Sequence, residues 1–248
     1  MAIRPEALAF GAKADDYEKG RPDYPPSAIK WLAEQLRVDS SSTVIDLAAG
    51  TGKLTRALLP TGARVVAVEP VAGMRDILRS VVPAAEVVDG TAEQLPVPDE
   101  FADAVTVGQA FHWFRGEEAL REIHRALVPG GRLGLIWNVR DFDQPVQAEL
   151  GQVSERYRGS TPSQETGAWQ SAFRETTRFG PLTEARFDME QVVDREQLVA
   201  RVVSVSFIAA LAADEQAQVV NEVSNIARRY GSHIALRYIT RAYWCQAT

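Results

Sequence analysis

Val44-Ile45-Asp46-Leu47-Ala48-Ala49-Gly50-Thr51-Gly52-Lys53-Leu54-Thr55 runs an apolar strand into a glycine-containing turn and then into helical spacing. Its acid, Asp46, stands four positions ahead of the first glycine, Gly50. In a doubly wound sheet, ligands bind beyond the carboxyl ends of the strands, where strand order reverses, and the first strand-to-helix turn usually lies there. Glycine in such a turn lets the backbone take unusual angles and lets a ligand approach without meeting a Cβ.

Outward from that stretch, short apolar runs alternate with helical segments. Runs at 43–48, 64–70, 85–90, 103–109 and 132–138 are rich in Val, Leu and Ile with little alternation, as strands buried on both faces require. Helices are expected at 52–59, 71–81 and 116–127, and a further one from Ser27 to Leu36 with Ile29, Trp31, Leu32 and Leu36 on one face. The alternation predicts an α/β fold, a doubly wound Rossmann-like sheet of seven mostly parallel strands with helices on both faces. After Arg140 the rhythm changes: helices are expected at 146–159, 163–174, 195–209 and 214–230, and strands at 182–190 and 233–244. A single domain over 1–248 follows, with an N-terminal arm and helix (1–36), a core (37–140), and cap helices with a sheet edge (141–248). The arm ends in Gly20-Arg21-Pro22-Asp23-Tyr24-Pro25-Pro26, whose prolines prevent a continuing helix.

The turn admits three ligand classes. A phosphate-binding P-loop needs a glycine where Leu47 stands and a hydroxyl where Leu54 stands, so Lys53 is not its lysine. A dinucleotide fingerprint is closer, but Thr55 replaces its third glycine and Asp46 adds negative charge where a pyrophosphate would sit. A ligand with an adenosine end and a cationic end suits the acids instead. Asp46 complements a cation, and Glu69, closing the second strand, stands where a carboxylate accepts bonds from ribose hydroxyls.

Composition narrows the field. Of 248 residues, 46% are hydrophobic and 24% charged, which suits an ordinary globular chain with a substantial core. A net charge of -6 argues against a broad nucleic-acid or anionic-membrane surface. One cysteine, Cys245, allows no internal disulfide and no thiolate cluster for a metal, consistent with a cytoplasmic protein. The start lacks a signal-peptide core, and the longest apolar candidate, 205–213, is too short to span a bilayer.

The sequence resembles the class I S-adenosylmethionine-dependent methyltransferases. The glycine turn resembles their first motif and 65–74 their acidic ribose-binding segment. Residues 87–114 resemble their adenine turn and fourth strand, and 125–138 the entry to the fifth. The arm and Gln109-Ala110-Phe111-His112-Trp113-Phe114 are similar to the small-molecule branch typified by trans-aconitate methyltransferase-like proteins. Ala48 departs from the family, which often has glycine there.

The resemblance implies that Asp46, Ala48, Gly50 and Gly52 line the methionine end of S-adenosylmethionine, with Glu69 on the ribose. It places Met74 near the ribose and adenine, Thr91 and Ala92 in the adenine turn after Asp89, and Gln109 on the transfer side. Tyr17 and Arg21 are expected to close over the cofactor carboxylate. His112, beside Gln109, is the candidate general base or else a support for the exit loop; His124 reads as a helix-surface residue. Phe111, Trp113, Phe114, Trp137 and Asn138 either wall a pocket for a small-molecule acceptor or pack the fold, and Arg140 either meets an anionic substrate or makes a surface salt bridge. The alternatives are a cofactor-binding protein with non-methylating chemistry, cyclase-like or regulatory, and a nicotinamide-dependent oxidoreductase.

Overall fold

The computed structural model describes residues 5–248; the first four residues of the expected arm lie outside them. Seven strands form one mixed, mostly parallel sheet. They are β1 (Thr43–Leu47), β2 (Arg64–Val68), β3 (Glu86–Val88), β4 (Ala102–Gly108), β5 (Leu127–Arg140), β6 (Thr183–Val193) and β7 (Ile234–Gln246). Their order is β3-β2-β1-β4-β5-β7-β6, and β1 pairs in parallel with both β2 and β4. Strand order therefore reverses at β1, and the carboxyl ends of β1 and β4 are where open sheets of this kind hold their ligands.

Eleven α-helices are formed among the described residues. They are α1 (Pro5–Ala12), α2 (Ala14–Gly20), α3 (Pro26–Leu36), α4 (Lys53–Leu58), α5 (Ala72–Val81), α6 (Gly116–Ala126), α7 (Pro145–Glu155), α8 (Ser171–Glu175), α9 (Arg195–Val203), α10 (Ser206–Ala209) and α11 (Ala213–Tyr230). None is long and apolar enough to cross a membrane.

The chain divides into two compact units. The larger comprises Asp23–Asn138, Pro162–Phe187 and Thr240–Thr248. Its core includes Leu32 and Leu36 of α3, Val44, Ala104 and Ile136, with Leu54 and Leu58 of α4. Gly134 on β5 admits α3 closely, because a Cβ there would meet Leu36 and Leu32 at 2.8 and 2.9 Å.

The smaller unit comprises the chain up to Pro22, Val139–Thr161 and Asp188–Ile239. Its core joins Val146, Leu150 and Val153 of α7 to Leu198 and Val202 of α9 and to Val219, Val223 and Ile226 of α11. Asp194 caps α9 with a capping box, its side chain accepting from the Gln197 N–H while Gln197 returns a bond. Gly20 ends α2 in backbone contact with α9: a Cβ there would lie 2.2 Å from the Arg201 nitrogen.

Two expected helices are broken. Residues 163–174 form short 3-10 turns around Gly167, at φ 68°, before α8. Residues 195–209 stop at Ser204 and Val205 between α9 and α10.

Candidate active site

Asp46, on the last turn of apolar sequence before the crevice, is wholly buried at 0% exposure. Its carboxylate accepts from Thr55 Oγ1 on α4 at 2.6 Å and from Thr106 Oγ1 on β4 at 3.2 Å. Burial raises its pKa to about 7 against the pull of those hydroxyls. Thr106 was legible as the one polar residue within the apolar part of its strand, and Thr55 stands where a dinucleotide turn would have glycine.

Three residues of the turn take left-handed backbone: Ala48 at φ 54°, Gly50 at 59° and Gly52 at 89°. The two glycines do different things. A Cβ on Gly52 would meet Leu78 and Val82 at 3.0 Å, so Gly52 lets α5 pack against the turn. A Cβ on Gly50 would meet nothing within 4 Å, so Gly50 opens onto free space. Ala48 bears a side chain in the conformation that favours glycine, which accounts for the family preference at that position.

Glu69 follows β2 and is 5% exposed. Its carboxylate accepts from the Gly50 N–H at 2.9 Å and the Val71 N–H at 2.8 Å, tying the glycine turn to the second strand. Burial raises its pKa, opposed by those two bonds and by the Arg75 cation. A carboxylate has about four acceptor positions, so two accepted bonds leave capacity for two ribose hydroxyls.

Beyond β3, Thr91 and Gln94 exchange backbone bonds of 3.3 and 3.2 Å, closing a tight turn in which Ala92 is buried. Met74 is buried on α5. Asp89 points outward and pairs with Arg75 at 3.1 Å.

At the exit of β4, Gln109 has φ 61° and donates its N–H to Ile136 O at 2.9 Å. Left-handed non-glycine residues thus close two neighbouring strands, Ala48 after β1 and Gln109 after β4; such strain clusters at functional sites. The Tyr24 hydroxyl lies 2.6 Å from where a Cβ on Gly108 would stand, a contact that sequence reasoning missed.

His112 accepts the Trp137 Nε1–H on Nδ1 at 3.4 Å. In a neutral imidazole that bond occupies the lone pair a base would need and assigns the proton to Nε2. Phe111 and Trp137 are each 1% exposed. Phe111 packs on Phe114, Trp169 and Phe173, and Trp137 on Trp169 and Tyr243. Both are core residues. Trp113 is half-buried beside His112. Asn138 ties the arm down, donating to Asp23 O at 3.0 Å and accepting from Thr240 Oγ1 at 2.6 Å. Tyr17, Arg21 and Arg140 belong to the smaller unit. His124 contacts Thr248 O at 3.1 Å.

The arrangement brings Asp46, Ala48, Gly50, Gly52 and Glu69 around one turn. Two buried acids and an open glycine suit a ligand with cationic groups and no phosphate, since buried negative charge favours the former and opposes the latter.

Residues 45–135 match the family model described as a methyltransferase domain. A methyltransferase-like protein of Schizosaccharomyces pombe is 34% identical over 229 residues, covering 92% of this chain and 89% of that protein. A methyltransferase of Mycobacterium bovis is 47% identical over 150 residues, 60% of each chain. Among solved structures, a candidate methyltransferase from an antibiotic biosynthesis pathway of Anabaena variabilis superposes with a TM-score of 0.59 at 22% identity. That likeness covers 90% of this chain and 98% of the other.

Proposed function

The chain belongs to the class I S-adenosylmethionine-dependent methyltransferases, and on that premise we propose that it methylates a small organic molecule. The observation that carries the cofactor half of this reading is Gly50, open on one side and bonded through its N–H to the Glu69 carboxylate. When bound, S-adenosylmethionine supplies an electrophilic methyl group on a sulfonium.

The chain's own residues bind and orient. Glu69 accepts from the ribose hydroxyls, Met74 packs near the ribose, and Thr91 and Ala92 line the adenine turn. Asp46 does not touch the ligand: enclosed by Thr55 and Thr106, it acts through its field, favouring the cationic end. Gln109 presents its side chain on the transfer side, held there by a strained backbone. His112 accepts the Trp137 Nε1–H, and the proton of the acceptor leaves to water or to the acceptor's own base. Placement of acceptor and methyl in line contributes roughly 7–11 kcal/mol in favourable cases. The small-molecule branch is supported by the arm and the Gln109–Phe114 segment, and by a net charge unsuited to a nucleic-acid surface.

Calorimetric titration with S-adenosylmethionine and with NAD tests the cofactor, and tight binding of NAD alone overturns it. Formation of S-adenosylhomocysteine from a pool of small acceptors tests transfer. Binding without turnover across the pool favours the non-methylating reading.

A further inference from the structure

Two helices of the smaller unit carry one pattern. Glu149-Leu150-Gly151-Gln152-Val153-Ser154-Glu155-Arg156 runs through α7 and the residue that ends it, and Glu222-Val223-Ser224-Asn225-Ile226-Ala227-Arg228-Arg229 lies in α11. In each, an acid, an amide, a β-branched residue and an arginine recur at the spacing that puts them on one helix face.

The helices pack antiparallel, so each acid meets the arginine of the other. Arg156 donates to Glu222 at 2.5 Å, and Arg229 donates to Glu149, which also accepts from the Tyr230 hydroxyl at 2.7 Å. Between these two rungs lies an open groove of about 700 Å³. Val153 and Ile226, 2% and 5% exposed, form its floor, and Gln152 and Asn225 stand exposed at its middle. Asn225 accepts from Arg228 at 2.8 Å, and Glu155, also lining the groove, is matched by Arg158. The four charges that remain, Glu149, Arg229, Glu222 and Arg156, alternate in sign around the groove. The Arg156 and Arg229 side chains are still 54% and 57% exposed, so each guanidinium keeps donors for a further carboxylate.

A square of alternating charges is its own complement. Turned over about an axis along the helices, it meets itself with opposite signs at every corner: Glu149 faces Arg229 of the partner subunit, and Arg156 faces Glu222 of the partner subunit. A uniformly acidic or basic surface would instead meet like charge at two corners of the four. We propose that the α7–α11 face is a docking surface for a second copy of this chain, α7 of each copy lying antiparallel on α11 of the other. The register is the one these helices already adopt within a single chain, repeated between chains. Gln152 pairs across the middle with the partner subunit's Asn225, amide to amide. The contact is isologous and closes at two subunits. Because exposed ion pairs set register more than affinity, the dimer is weak and salt-sensitive. The face belongs to the smaller unit alone, so the proposal stands or falls separately from methyl transfer.

Sedimentation equilibrium of the whole chain, from about 10 μM to 0.5 mM, tests it. The parent is expected to move from monomer towards dimer over this range, and less so in about 0.5 M salt than in 50 mM. Glu149→Arg and Arg229→Glu each set like charges at two contacts and are expected to weaken association at least about tenfold. Both are expected to keep the parent's circular dichroism, since exposed pairs contribute little to the fold. An equimolar mixture of the two restores opposite signs at both contacts and is expected to dimerise as the parent does, a rescue that loss of fold could not produce. A parent that stays monomeric, variants that associate as strongly as the parent, or a mixture as weak as its components would each overturn the proposal. Gln152→Cys mixed with Asn225→Cys gives a second reading that leaves the charges intact, because the native Cys245 is buried. Oxidation is expected to link the two variants to each other faster than either to itself. Preferred self-linking of Gln152→Cys would lay α7 on α7 and overturn the register.

Discussion

Asp46 and Glu69 in the larger unit, and Arg21 and Arg201 in the smaller, are charges taken largely out of water, yet they are compensated differently. The acids are surrounded by donors: threonine hydroxyls on Asp46, backbone N–H groups on Glu69. Asp46 can also take up a proton near neutrality, its pKa lying at about 7. The arginines have only neutral acceptors and no such escape. A buried acid can therefore be poised by its own titration, whereas an arginine keeps its charge.

The largest effect is expected where the arginine pair is assembled. In Gly20→Ala the added methyl would lie 2.2 Å from the Arg201 nitrogen and 2.6 Å from its Cα, so the backbones of α2 and α9 must separate. A loss of about 3 kcal/mol in urea unfolding is expected, at the upper end of ordinary overpacking. Full stability in this variant would mean that the helices approach less closely and that the arginines are not held together.

The acid region is sharpened by pH. Asp46 is protonated in both folded and unfolded chains at low pH. As pH rises from about 4, the unfolded chain releases this proton first, and the folded chain holds it until about 7. Its contribution therefore lowers stability through that window and levels off above it. Asp46→Asn is expected to flatten the profile, removing the fall in stability between about pH 4 and pH 8. Parallel profiles for parent and variant would place the ionisation elsewhere.

Glu69→Ala tests the other acid. It strands the Gly50 and Val71 N–H groups and removes the expected ribose acceptor. Affinity for S-adenosylmethionine is expected to fall by roughly 1–3 kcal/mol in calorimetry. Unchanged affinity would mean that the ribose sits away from Glu69, and the acid would then serve only to fasten the turn.

These tests also separate what was legible in the sequence from what was not. All seven strands were readable: β1, β2, β4 and β5 as Val- and Leu-rich runs buried on both faces, β3 by its paired valines, β6 by its alternation and β7 by its β-branched and aromatic residues. The places of Asp46, Gly50, Gly52 and Glu69 at strand ends were readable for a similar reason, since local sequence sets them. The arm was harder. Its prolines marked where helix stops, yet α1, apolar nearly all round, and the short polar α2 precede them without an apolar face at helical spacing. The helices expected over 163–174 and 195–209 were overcalled at Gly167 and at Ser204, where local spacing hid a break. The arginine pair was invisible, since Arg21 and Ser204 are 183 positions apart and meet only through the packing of α2 on α9. Phe111 and Trp137 illustrate the same limit from the other side. Their place beside strand ends fitted pocket wall and core equally, and only the rings of Trp169, Phe173 and Tyr243 decide for the core.

The smallest effect belongs to the turn between the two acids. Ala48 holds φ 54° with a side chain attached, and its neighbours Gly50 and Gly52 hold similar angles without one. The left-handed region costs an L-residue roughly 1–2 kcal/mol relative to the right-handed one, a cost glycine escapes. Glycine also gains freedom in the unfolded chain, which offsets part of the relief. Ala48→Gly is therefore expected to stabilise the fold by about 0.5–1 kcal/mol in urea unfolding. Gln109→Gly shares the angle, at φ 61°, but removes a side chain proposed to face the transfer side. It should match Ala48→Gly in stability and differ in turnover, falling where Ala48→Gly does not. If both variants lose stability, the side chains are holding the left-handed backbone rather than suffering it, and the strain assigned to the crevice is absent.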